Sequence, residues 1–255
     1  MIYKTLSFKK ALLLLFLFGA AIGLIIWALW GLGMDVSTIV SSNRMIPIYA
    51  VDTEQNAVSL GINCAWEDGD IPQILAALEQ YNVKATFFVV GEWCSRCPDS
   101  LRMIYEAGHE LGSHSDTHPD MSKLDAAQIT AELNGCAEKI AAVTGDQPLL
   151  FRPPSGAYSN TLIETASAMG YYTIQWSVDS IDWKGLTAAE ILKRTAKAEA
   201  GDILLLHSGT AHTAEALPAI LEQLTAKGLT VIPVSELIHR KDYTIDHAGV
   251  QHPVN

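Results

Sequence analysis

His114-Ser115-Asp116-Thr117-His118 carries two histidines four residues apart. Two imidazoles so spaced, on one side of a helical turn, can grip a single metal ion. An HxxxH taken alone is more often a pair of ordinary surface or core histidines. A catalytic ion also needs a third protein ligand and an open position for water. Other polar candidates follow apolar runs that read as strands. Asn63, Cys64, Glu67, Asp68 and Asp70 come after residues 58–62, and Arg152, Pro153 and Pro154 come after residues 149–151. Asp179, Asp182 and Trp183 follow residues 171–176, and His207 caps residues 203–206. One polar residue after a buried strand is usually a turn or a cap. Four such positions on one face are harder to dismiss, because chemistry collects where parallel strands end and helices begin.

The elements that position these residues alternate. Ile71, Ile74, Leu75 and Leu78 follow helical spacing, with Asp70 as N-cap. Residues 85–90 (ATFFVV) are β-rich, and Leu101, Ile104 and Tyr105 mark the next helix. Leu133, Cys136, Ile140 and Val143 stripe another, closed by Gly145. Residues 171–176 read as one strand, and Thr187 with Glu190 form a capping box. Leu217, Ile220, Leu221 and Leu224 stripe the last long helix, and residues 231–234 read as the last strand. About seven such alternations imply an α/β fold, a parallel sheet covered by helices, either barrel or open sheet, in a single domain.

The chain has 255 residues, 49% hydrophobic and 18% charged, with 28 acidic against 17 basic side chains and a net charge of −11. That content excludes general disorder, and the acidic balance argues against nucleic acid as a partner. Residues 11–34 carry no charge, follow Lys4, Lys9 and Lys10, precede Asp35, and hold Trp27 and Trp30 toward their far end. A run of this length spans the hydrocarbon layer as a helix, and the flanking lysines place the N-terminus inside. A cleaved signal peptide would have a shorter apolar core. The expected organisation is therefore a cytoplasmic start (1–10), a membrane anchor (11–34), a linker (35–45), a folded domain (46–240) and a C-terminal tail (241–255). The localisation that follows is the cell membrane, single-pass, with the folded domain extracellular.

KATFFVVG from Lys84, GSHSDTHPDMSKL from Gly112, RPPSGAY from Arg152, DSIDW from Asp179 and LLLH ending at His207 occur in one order over most of the outer part. Together they resemble the polysaccharide deacetylase (NodB-homology) family of carbohydrate esterases. The resemblance implies a distorted parallel (β/α) barrel of about seven strands. It implies a hydrolase, dependent on a divalent metal, that removes acetyl groups from N-acetylated cell-wall polysaccharide such as peptidoglycan. It gives His114 and His118 to the metal and Arg152 to orienting the general base. His207 becomes the general acid and Asp182 the residue that tunes it, while Trp183 and Tyr158 line the substrate.

The first motif departs from the family pattern. Aligned through Ala65-Trp66 and residues 72–75, the sequence has Asn63 where the resemblance implies the aspartate base, and Cys64 where it implies a second aspartate that commonly binds metal. An amide cannot accept a proton at neutral pH, and losing a positioned base typically costs about 10²–10⁴ in rate. Three readings stand. Asp68, with Glu67 or Asp70 behind it, reaches in as a substitute base. Alternatively, the site is a catalytically impaired, glycan-binding relative. Or Cys64 is itself a ligand, which would bias the site toward zinc, against the plain reading of a small buried hydrophobe. Cys94-Ser95-Arg96-Cys97 on its own resembles a thiol oxidoreductase motif, but the similarity covers far less of the chain.

Overall fold

The computed structural model describes residues 8–31 and 44–254, and the chain divides into two units, residues 1–44 and 45–255. The first contains helix α1 (Phe8–Gly31). Leu15, Phe16, Phe18, Leu24 and Trp27 are all more than half exposed on it. The expected membrane span of residues 11–34 runs past Gly31 and outside the described residues, as do residues 1–7 of the cytoplasmic start and residues 35–43 of the linker. Among the described residues no helix is long and apolar enough to cross a membrane.

The second unit is built on parallel strands. In chain order they are β2 (Ala57–Cys64), β3 (Thr86–Val89), β4 (Glu110–Ser113), β5 (Leu150–Phe151), β6 (Tyr172–Thr173), β7 (Val178–Asp179), β8 (Ile203–His207) and β9 (Thr230–Val231). Their lateral order is β6-β5-β4-β3-β2-β8-β7, with β9 beside the start of β2. Helices α2 (Ile71–Gln80), α3 (Gly91–Arg96), α4 (Pro98–Glu106), α5 (Ala126–Thr144), α6 (Asn160–Ala168), α7 (Ala188–Thr195), α8 (Thr213–Ala226) and the short α9 (Val234–Leu237) make up the rest. The seven strands of that lateral order form a distorted half-barrel that does not close. Its opening lies between β6 and β7, at opposite ends of the sheet, and the strand expected over residues 171–176 is shortened to β6, with β7 following it as a separate strand. Ile48 fills part of that opening, donating to Thr173 O and accepting from Gln175 N, while Ser177 N donates to Ile203 O.

Strand alternation sorts the side chains. Val58, Leu60, Ile62 and Cys64 of β2 face the helices with Phe87, Val89, Leu204 and Leu206. Phe88, Leu150, Ile174 and Ile203 form a second cluster with Val234 and Leu237. A period of two therefore sends Asn63 to the opposite face from Cys64. The helix ends follow local rules. Asp125 and Gln128 make a capping box at the start of α5, and Gly145 ends it at φ 82°. Thr187 and Glu190 form the expected box on α7. Asp70 sits at the N-cap of α2 but its carboxylate makes no cap bond.

The expected C-terminal tail is part of the fold. Strands β10 (Tyr243–Ile245) and β11 (Val250–Pro253) form an antiparallel hairpin, and β11 pairs in parallel with β1 (Ala50–Val51). Gln251, fully buried, accepts from His239 N at 2.7 Å and donates to His239 O at 2.6 Å. Those polar, Gly- and Pro-containing residues carry too few apolar positions for a strand pattern to show in the sequence.

Candidate functional site

The C-terminal ends of β2, β4, β5 and β8 bring together the residues singled out by their types. His114 directly follows β4, is buried, and donates through Nδ1 to Arg152 O at 2.7 Å. A carbonyl only accepts, so Nε2 of His114 carries the lone pair. His118 lies beside it, with ring centroids 5.0 Å apart at 73°. The two do not share a helical turn. They flank a loop in which Ser115 and His118 have φ of 69° and 60°, a left-handed conformation that is costly for residues with a Cβ. Ser115 Oγ accepts from His118 N, and Glu132 of α5 accepts from the amides of Asp116 and Thr117 and from Thr117 Oγ1. Burial holds both imidazole pKa values down, that of His114 well below the usual range.

Arg152 follows β5 and is fully buried. Its Nη1 donates to Gly61 O at 3.1 Å and to Asn63 Oδ1 at 3.0 Å, and its Nη2 to Gln175 O at 3.2 Å. The guanidinium carbon lies 4.0 Å from the Phe88 ring centroid, and Nε has no partner. Burial lowers its pKa to about 9, which leaves it charged at neutral pH. The space is available because residue 61 is glycine: a Cβ there would come within 2.2 Å of Nη2.

With Oδ1 taken by Arg152, the Asn63 amide turns Nδ2 toward His207 Nε2 at 3.5 Å. His207 donates through Nδ1 to Asp182 Oδ1 at 2.7 Å, and its backbone N–H donates to Asp182 Oδ2 at 2.7 Å. Thr213 Oγ1 adds a bond to Asp182 Oδ2 at 2.6 Å. The buried carboxylate thus fixes which nitrogen of His207 carries hydrogen and leaves Nε2 facing the site. Asp182 opens a short turn (Asp182–Lys184) behind Ile181, itself left-handed at φ 53°. Trp183 in that turn is half exposed, with Lys184 Nζ 4.8 Å from its ring centroid.

His114, His118, Arg152, Asp182 and His207 therefore meet. Other expected residues go elsewhere. Cys64 is fully buried among the apolar side chains between sheet and helices, and burial pushes its thiol up to about 12. It faces away from the imidazole pair and is held as a thiol, the opposite of what a metal ligand needs. The Asp68 carboxylate accepts from Ser100 Oγ of α4 at 2.6 Å, which holds its pKa down, so it is engaged on α4 rather than at Asn63. Asp70 accepts from Gly209 N through both oxygens at 2.9 Å. Tyr158 packs against the cluster of Met121, Ile129, Leu133 and Phe151. Cys94 and Cys97 are unbridged, and burial raises both thiols, contrary to the lowered pKa of a redox thiol.

The donor set does not fit a three-ligand divalent-metal site. Among the described residues no group of three His, Cys, Asp or Glu is placed to hold one ion, and His114 and His118 stand with a buried guanidinium nearby. Sequence reasoning missed Trp66, whose ring stacks on His207 with centroids 5.3 Å apart at 33°. It missed Thr213 and Glu132 as well. A tryptophan two residues past the end of a strand was the available signal for the first; the other two depend on tertiary contacts.

The polysaccharide deacetylase family profile matches residues 50–174. Over 193 residues the chain is 36% identical to the uncharacterized protein YlxY of Bacillus subtilis, covering 75% of this chain and 60% of that protein. Over 202 residues it is 32% identical to the peptidoglycan-N-acetylmuramic acid deacetylase PdaA of the same organism, covering 76% of each. The solved structure of BA3943, a CE4 family pseudoenzyme from Bacillus anthracis, superposes with a TM-score of 0.73 at 34% identity, covering 82% of this chain and 73% of that one. A mutant of BA3943 with restored enzymatic activity superposes equally well, with a TM-score of 0.73.

Proposed function

The chain belongs to the polysaccharide deacetylase family, and from that premise we propose a membrane-anchored, extracytoplasmic deacetylase-like domain that binds N-acetylated cell-wall glycan with turnover impaired at Asn63. One observation carries the reading: the position beneath Arg152 holds an amide. Asn63 Oδ1 accepts from Arg152 and its Nδ2 points to His207, so no atom there can take a proton from water. The nearest alternative carboxylates are engaged elsewhere, Asp68 by Ser100 and Asp70 by Gly209. Among the described residues no further His, Cys, Asp or Glu joins His114 and His118 in a group that could hold a metal ion.

The His207–Asp182 pair is the catalytic remnant. The carboxylate holds Nδ1 of the ring and so turns Nε2 toward the position from which an amine would leave. Trp183, half exposed beside Asp182, offers an apolar face to a sugar. Peptidoglycan as the glycan is supported by PdaA, which is named for that substrate; BA3943, described as a pseudoenzyme, supports the impairment. Anchoring is supported by the uncharged run of residues 11–34 and by the bare apolar side chains of α1.

Acetate release from N-acetylated chitooligosaccharides and from peptidoglycan fragments tests this, together with metal analysis of the purified protein. Wild type is expected near background with less than one bound ion per chain. Asn63→Asp is expected to raise the rate on the order of 10²-fold, the usual worth of a positioned base. Wild-type turnover equal to that of Asn63→Asp would show that the amide is no impairment.

A further inference from the structure

The short loop between β2 and α2, residues 65–70, is held more firmly than its exposure requires. Arg96 Nη2 from the end of α3 donates to Ala65 O and to Trp66 O, both at 3.1 Å. Ser100 of α4 binds Asp68 at 2.6 Å. Both carboxylate oxygens of Asp70 take the Gly209 N–H that follows β8. Gly209, at φ 73°, lies so close to the loop that a Cβ would sit 2.5 Å from Glu67 O. Ties to α3, to α4 and to the turn after β8 thus fix six residues.

What this loop presents is Trp66, 45% exposed. A tryptophan serving only as core filler would be buried, and a stray surface one would not be fixed by its own backbone carbonyl. The ring lies against the His207 imidazole, 5.3 Å away and tilted 33°, and 45% of the residue reaches solvent. A pyranose offers the matching surface, since its axial C–H bonds make one face of the ring apolar while the hydroxyls point outward. Such a face gains most against a large aromatic plane already held in place, where ordering costs nothing at the moment of binding.

We propose that Trp66 is a sugar-binding platform of the site, on which an uncharged N-acetylated pyranose stacks beside His207. Asp70 and Arg96 are its positioning residues, acting through the loop backbone. This rests on the glycan-binding reading above and adds to it the side chain that supplies affinity for the neutral ring.

The test titrates purified full-length protein with the N-acetylglucosamine pentamer, followed by calorimetry and by tryptophan fluorescence. Trp66→Ala is expected to weaken binding about tenfold or more, as truncation of a central aromatic anchor does. Trp66→Phe is expected to keep most of the affinity while losing the fluorescence change that accompanies binding in wild type. Asp70→Asn, which keeps the side-chain shape but weakens the bond to Gly209, falls between the two. A merely structural tryptophan would not separate heat from fluorescence in the Phe variant. Binding by Trp66→Ala within twofold of wild type overturns the platform and leaves the glycan-binding reading standing. A wild type that binds no pentamer overturns both.

Discussion

Arg152 is a fully buried cation whose side-chain acceptors are all neutral oxygens: Gly61 O, Gln175 O and Asn63 Oδ1. Among the described residues it takes part in no ion pair. A charge removed from water is tolerated when an opposite charge and full hydrogen bonding compensate it, and here neutral carbonyls, with the rings of Phe88 and Trp176 at 4.0 and 5.8 Å, stand in for them. Asn63→Asp restores a partner at the same 3.0 Å position, converting a neutral contact into a charge-assisted one. The expected gain is on the order of 1–3 kcal/mol of unfolding free energy, read from urea midpoints at pH 7. An unchanged or lowered midpoint would mean that the Phe88 and Trp176 rings and the carbonyls already satisfy the guanidinium. Gly61→Ala should act in the reverse sense: with Nη2 2.2 Å from the added carbon, the guanidinium must leave its place. Loss of folded protein, or a drop beyond about 3 kcal/mol, is expected.

At the scale of elements, the loop carrying His114 and His118 borrows its shape from α5. Glu132 satisfies two amides and a hydroxyl of that loop, while Ser115 and His118 remain left-handed. Glu132→Ala removes these acceptors and frees the loop to relax. A loss of about 2 kcal/mol is expected for the unpaired donors, with faster amide exchange at Asp116 and Thr117 than elsewhere in the domain. Uniform exchange across the domain would assign Glu132 to general stability instead. Here the sequence reading fell short. HxxxH suggested a helical turn, because i,i+4 spacing has that meaning on a helix. The same approach of two rings arises from a left-handed loop, and its support lies 14 residues beyond His118 in another element.

For the molecule as a whole, pH sensitivity follows from its buried imidazoles. His109 accepts from Ala85 N, and burial takes its pKa down to about 4; burial also depresses His114 and His118. Each has a folded pKa below its unfolded value near 6.5, so on acidification the unfolded chain binds protons first. Stability is therefore full above about 6.5 and falls as pH drops below it, by up to about 1.4 kcal/mol per unit for each such group. His252 works the other way. Hydrogen bonds to Asp52 and Asp246 raise its pKa, so its contribution is present below about 6.5 and is lost as pH rises through the raised value. It is half-buried and single, so the three depressed imidazoles in the domain set the net slope. A melting temperature that falls steadily from pH 7 to pH 5 is expected, and His109→Gln should flatten the curve. A flat wild-type profile would refute this account.

Period, punctuation and motif order fixed in advance that strands and helices alternate, that they build a parallel sheet, and that His114, His118, Arg152, Asp182 and His207 belong to one family pattern. Those features are local, or recur in register along the chain, so no coordinates were needed to see them. The destination of individual side chains was different. Asn63 and Cys64 are neighbours, yet strand alternation sends one to Arg152 and the other beneath the helices. Asp68 and Asp70 are two apart and end on Ser100 and Gly209, which lie on different elements. The hairpin at the C-terminus pairs with β1, about 200 residues away along the chain. Such outcomes depend on which surfaces meet after folding, and a linear pattern carries no term for that.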